Sequence, residues 1–246
     1  MRYIDPKEFV AVAVVEAIQT GDLATLKRLL TENPDLALAR LGDADPAGMS
    51  RTLLHIATDW PGHFPKGAET VAALIEAGAA VNARFSGPHT ETPLHWAASS
   101  NDIPVLDALL DAGADMEAPG AVIAGGTALA DATAFGNWEA ARRLVQRGAH
   151  VDFFQAATLG LVDRLEGHFA GASGPGPEAV NRAFWGACHG GQQLSAEYLV
   201  ERGADLNWLP DWEPLTPLDA AQRSGAGGLV TWLRGRGAQS ARAVID

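Results

Sequence analysis

Cysteine is almost missing. Cys188 is the one cysteine in 246 residues. An internal disulfide is excluded, and a reducing, cytoplasmic setting fits. Lysine is scarce too: Lys7, Lys27 and Lys66 are three of 18 basic residues, against 30 acidic ones, for a net charge of −12. No run of basic residues exists, so no nucleic-acid partner is expected. An acidic surface favours solubility and a cationic or neutral partner. Long apolar runs are absent. The longest, residues 9–18 (FVAVAVVEAI), falls short of the ~20 residues that span a bilayer. Asp5 and Glu8 precede it, so neither a membrane span nor a signal peptide is expected, and it reads as a first helix. Catalytic signatures are missing as well: no nucleophile elbow, zinc motif or dinucleotide fingerprint occurs. The glycines of residues 117–126 (EAPGAVIAGG) are not followed by Gly-Lys-Ser/Thr. The histidines include no i, i+4 pair, and Asp43 with Asp45 lacks a calcium-loop pattern, so no metal and no cofactor is expected.

What is present is a repeat. Residues 91–118 read as one helix–turn–helix unit. Thr92-Pro93 opens it, proline being suited to a first helical turn. Leu94, Trp96, Ala97 and Ala98 make a short helix, and Asn101-Asp102 breaks it. Leu106, Leu109 and Leu110 give the second helix one buried face. Gly113 closes it at a left-handed cap position. Thr-x-Leu recurs at Thr52, Thr127 and Thr216, and the closing Gly-Ala at Gly78, Gly148, Gly203 and Gly237. From Gly78 onward the closing glycines are 35, 35, 55 and 34 residues apart. A sustained period near 34 predicts a solenoid, in which each unit buries its apolar face only against its neighbours. At 47% hydrophobic residues, a continuous core is possible.

Thr92-Pro93-Leu94-His95, Ala97-Ala98 and Gly113-Ala114-Asp115 resemble an ankyrin repeat, with near matches at Thr52–His55 and Thr216–Asp219. Residues 183–192 (AFWGACHGGQ) and 59–65 (DWPGHFP) further resemble a bacterial group of stand-alone ankyrin proteins. The resemblance implies an all-α ankyrin solenoid of about six helix pairs with hairpin-like fingers. It also implies a concave face, lined by fingers and first-helix ends, where partners bind, and a structural role for His55 and His95.

The expected organisation is one continuous solenoid. Residues 5–169 hold an N-terminal cap, full repeats and one degraded repeat. Residues 170–177 (AGASGPGP) are a hinge or linker. Residues 178–246 hold the C-terminal repeats and cap, ending in a frayed tail. Three connections depart from the pattern. Residues 59–67 (DWPGHFPKG) add five residues between two helices and read as a semi-rigid flap or, equally, as a packing plug. The fingers before Thr92 and Thr127 are lengthened to a 14-residue spacing.

The candidate ligand-binding residues follow from this register. The flap and the first lengthened finger supply Asp59, Trp60, His63, Phe85, His89 and Glu91. First helices supply Trp96, Ser99, Ser100, Asp131, Phe135, Trp185 and His189, and a late finger supplies Trp208 and Trp212. Aromatic rings beside carboxylates suit a pocket for peptide side chains or a small ligand, or ordinary solenoid packing. Asp131 stands where Ile56 and Trp96 stand in earlier repeats. A carboxylate there must be paired or reach a wet groove. The expected function is binding of a protein, peptide or small molecule in the groove. The alternative is a small-molecule enzyme with a His63 or His189 base oriented by Asp59 or Asp131.

Overall fold

Each apolar stripe is only one to three turns long and is stopped at both ends, so the chain folds into short helices in pairs. The computed structural model describes residues 2–45, 48–170 and 174–245, which form two compact units, Met1–Ala149 and His150–Asp246. The first holds α1 (Phe9–Thr20), α2 (Leu23–Glu32), α3 (Leu53–Ala57), α4 (Gly67–Glu76), α5 (Pro93–Ser99), α6 (Ile103–Asp111), α7 (Ala128–Ala134) and α8 (Trp138–Gln146). Helices α1, α3, α5 and α7 pack in an inner row, and α2, α4, α6 and α8 in an outer one. The second unit holds α9 (Phe153–Thr158), α10 (Val162–Phe169), α11 (Pro177–His189), α12 (Gln193–Val200), α13 (Pro217–Arg223), α14 (Gly227–Gly235) and α15 (Ala241–Ile245). There α9, α11 and α13 form the inner row, and α10 packs on α12. The described residues thus hold seven successive pairs, one more than the roughly six expected.

The stretch around Asp43 and Asp45 is edged by strands: β1 (Tyr3–Ile4) runs parallel to β2 (Arg40–Gly42), which pairs antiparallel with β3 (Ser50–Thr52). Two expectations change in detail. The tail after Ala238 is not frayed. It forms α15, whose Ala241 N–H donates to Asp219 Oδ2 at 2.7 Å. Helix α11 begins at Pro177, one residue inside the stretch read as linker, because proline's fixed φ suits a first turn. Residues 171–173 of that stretch lie outside the described residues.

The repeat signature works as a capping device that reaches forward. In α5 the Thr92 N–H donates to His95 Nδ1 at 3.1 Å. That leaves the proton on Nε2, which donates to the Gly126 carbonyl at 3.3 Å, just before Thr127 of the next repeat. His55 does the same, from Thr52 to the Glu91 carbonyl at 3.1 Å. Asp219 takes the role in α13, where Thr216 Oγ1 also donates to the Gln239 carbonyl. Asparagines tie the fingers: Asn82, Asn181 and Asn207 accept from the backbone N–H of Asp115, Asp205 and Gln239 at 2.7–2.8 Å. At the opposite turn, Asn137 donates to the Ala98 and Ser99 carbonyls.

Burial holds both histidines neutral, with pKa values lowered to about 4. The unfolded chain binds those protons near 6.5, so stability falls as pH drops from 6.5 toward 4. The cost is about 3 kcal/mol per histidine. His95→Gln puts at this position the residue type that Gln155 supplies in the α9 capping box. The variant should therefore close its stability gap to wild type by about that amount between pH 7 and pH 4 in urea titrations. A constant gap would contradict the buried, neutral assignment. Cys188 is fully buried, and burial pushes its thiol up. Thiol reagents should label it only at denaturant concentrations that unfold the second unit.

Candidate functional site

Residues 59–67 leave α3 and are fastened at both ends. Asp59 pairs with Arg51 at 2.5 Å. The His63 N–H donates to Asp102 Oδ2 at 2.6 Å, and its ring Nε2 lies 3.1 Å from the Ser100 carbonyl. Asp102 also caps α6 through the Val105 N–H, so it is a structural acceptor. Gly62, at φ +73°, lies against Ser100, and a side chain on Gly21 would strike the Pro65 carbonyl. The insertion is a clip seated across neighbouring turns, with Trp60 held out at 82% exposure.

Beside it, the finger before α5 brings rings together. Phe85 lies 5.4 Å from Trp96, and Trp96 meets His55 edge-on at 5.0 Å. Phe85 folds back by donating its N–H to the Glu91 carbonyl. Behind this cluster sits Arg40, a buried cation that no described carboxylate pairs. It donates to Ser50 Oγ and to the Ser50 and Arg84 carbonyls at 2.7–2.8 Å. Ser99 and Ser100 are half-buried and serve the turns: the Ser99 carbonyl accepts from Asn137, and Ser100 Oγ donates to the Thr58 carbonyl. His89 is exposed at the finger tip. Phe135, which caps α7, is 51% exposed, and Val122 and Ile123 of the next finger are exposed too. Asp131 and Glu91 are buried, at 1% and 6%. Burial, then the charge of Glu91, raises the Asp131 carboxyl to about 7.

The second unit gathers the other four candidates. Arg182, Trp185 and His189 share one face of α11 by their spacing. Trp185 stacks on His189 at 5.4 Å, 25° between planes, and its Nε1 donates to the Leu215 carbonyl at 2.8 Å. Trp212, from finger residues 207–215, meets Trp185 edge-on at 5.6 Å and Trp208 at 5.6 Å. Arg182 lies over Trp212 at 4.8 Å, and Arg223 over Trp185 at 5.6 Å. Glu213 grips Arg223 at 2.7 and 3.2 Å, and Arg223 Nη2 donates to His189 Nδ1 at 3.3 Å. The register of first-helix ends that holds Ser100 and Phe135 also points to Arg223, and the late finger carries Glu213, whereas Arg182 was not expected at the site. The Glu213 pairing depended on how the finger folds back.

The acid–base pairings considered from sequence are engaged elsewhere. Asp59 is on Arg51, His63 on a carbonyl, His189 against Trp185 and Arg223, and Asp131 beneath its finger. Among the described residues, no group of three or more His, Cys, Asp or Glu side chains has metal-site geometry, and no helix is long and apolar enough to cross a membrane.

Trp185 is 4% exposed and bonded. Trp185→Phe should cost about 1 kcal/mol by orphaning the Leu215 carbonyl. Trp60→Phe should stay within about 0.5 kcal/mol. Urea titrations of the two variants check this, and equal effects would deny Trp185 its anchoring role.

None of the curated proteins matches the chain. A family model described as ankyrin repeats matches residues 14–120 and 66–155, with three copies. These spans cover residues 14–155, more than half of the chain, and the forward-reaching Thr-x-x-His cap seen in α3 and α5 lies within them. The chain belongs to the ankyrin repeat family.

Proposed function

We propose that this chain is a binding module that takes a protein or peptide on the concave face made by its first-helix ends and fingers. The observation that carries this reading is the exposure of aromatic and aliphatic side chains that the repeat core does not use. Trp60, Phe135, Val122 and Ile123 in the first unit, and Trp212 in the second, stand in solvent on those elements. Exposed aromatic anchors beside arginine are the composition of binding hot spots. The clip at 59–67 and the lengthened fingers then set specificity. Because the clip is bonded at His63 and Asp59, Trp60 is presented with little ordering left to do on binding.

Two surface depressions, of about 470 and 340 Å³, lie among the described residues. One is lined by α2 and α4 residues such as Lys27 and Glu76, the other by the foot of the clip and the start of α6. Neither is lined by Trp96, Asp131, Trp185 or His189.

Peptides selected from a displayed library against the whole chain test the reading. Trp60→Ala with Phe135→Ala, or Trp212→Ala, should weaken the selected peptides by about tenfold or more, about 1.4 kcal/mol. These side chains are exposed, so the fold should survive. Unchanged affinity in both variants, with loss instead on changing the outer-helix residue Leu194 to Arg, would overturn it.

A further inference from the structure

The tryptophan cluster of the second unit carries two arginines laid over its rings, and the chain answers only one of them. Arg223 lies over Trp185 at 5.6 Å. Its two terminal nitrogens hold the Glu213 carboxylate, Nη1 to Oε2 at 2.7 Å and Nη2 to Oε1 at 3.2 Å. Arg182 lies over Trp212 at 4.8 Å. Its guanidinium makes no ion pair with any described residue.

A shortage of acids does not explain the difference. The chain has 30 acidic residues against 18 basic ones. Glu178, one turn earlier on α11, and Asp211, beside Trp212 in the finger, are both exposed, and neither pairs with Arg182. Arg182 is itself exposed, so its N–H donors are left to solvent. The platform beneath it is already set. Trp212 is braced edge-on by Trp185 and Trp208, each at 5.6 Å, and Trp185 is anchored through Nε1 to the Leu215 carbonyl.

A guanidinium backed by an indole gives up hydration on one face and keeps its in-plane N–H donors. Those donors match a carboxylate in two parallel bonds. The Arg223–Glu213 pair shows this same chemistry within the cluster, with the carboxylate supplied by the chain itself. Trp212, at 43% exposure, adds an apolar surface beside the open guanidinium. We propose that Arg182 and Trp212 together bind an acidic side chain of a partner peptide, glutamate or aspartate, with an aromatic or aliphatic residue next to that acid packing on the Trp212 ring. The proposal rests on the binding-module reading of this face and gives the partner its chemical class. The occupant is a side chain, as Glu213 is in the neighbouring pair, and not a chain end. Little ordering is left for the protein to do when it binds.

A library of random peptides, displayed with their C-termini fused to the carrier, supplies the probe. Peptides are selected against the whole chain, and those weakened by Trp212→Ala are kept. They should carry Glu or Asp beside an aromatic or aliphatic residue. Arg182→Gln should weaken such a peptide by about fivefold, and so should an amide in place of the peptide's acid. The two changes together should weaken it no further than either alone. Selection against Arg182→Glu should return basic residues where the acid stood. Should either variant fail to fold, Arg182→Lys keeps the charge without the fork and should weaken the same peptides by a smaller factor. Synthetic copies with free and amidated C-termini should bind alike.

Trp212-dependent peptides that carry no acid, or losses that multiply in the double change, would overturn the proposal and leave the binding-module reading standing. Affinity that needs a free C-terminus would overturn it in favour of a chain-end carboxylate. If no selected peptide depends on Trp212, the binding reading of this face falls, and the proposal falls with it.

Discussion

One hydrogen bond organises the repeats of α3 and α5: the bond from the fourth residue of the signature, counting Thr as the first, to the carbonyl that precedes the next signature. Helices of five to seven residues, such as α3 and α5, are too short to persist alone in water. His95 ends the problem locally by accepting the Thr92 N–H, and ends it globally by donating to Gly126. The cap of one helix is thereby the anchor of the next. A neutral imidazole is required for both halves of that task, and burial supplies it. Ala130 stands at this position in the following repeat and has no ring to make the bond. Asp131, one residue later, reaches instead to the finger above it.

The fold leaves its chemistry at helix ends and fingers because the core has no use for it there. In the second unit this yields a layered arrangement of Arg182, Trp212, Trp185 and Arg223, with Glu213 and His189 fixing the last cation. Its charges are mostly answered internally, so it offers aromatic edges and one arginine, Arg182, more than net charge. In the first unit Trp60, Phe135, Val122 and Ile123 are exposed, while Asp131 and Glu91 are buried.

Much of this was legible in the chain. The Thr-x-Leu and Gly-Ala recurrences located five of the seven helix pairs, because capping and left-handed termination are local requirements with few residue solutions. The lengthened fingers and the insertion were visible as spacing. The same spacing could not say whether residues 59–67 swing or stay put, because that depends on Asp102 and Ser100, nearly forty residues away. Nor could it show that the tail after Ala238 closes onto Asp219. Ser99 and Ser100 were read as groove residues; that the Ser99 carbonyl also accepts from Asn137 and Ser100 Oγ donates to the Thr58 carbonyl depends on residues in neighbouring repeats.

By itself, then, the sequence determined the repeat, its helix ends, its buried stripes and its lack of cysteine and metal motifs, all of which are properties of neighbouring residues. Only the tertiary structure decided which aromatic rings meet, which arginines cover them, and that Glu91 and Asp131 are each buried with an oxygen unpaired. Those are juxtapositions across thirty to forty residues. They arise when one repeat stacks on the next, where burial rather than composition sets the charge a side chain can carry.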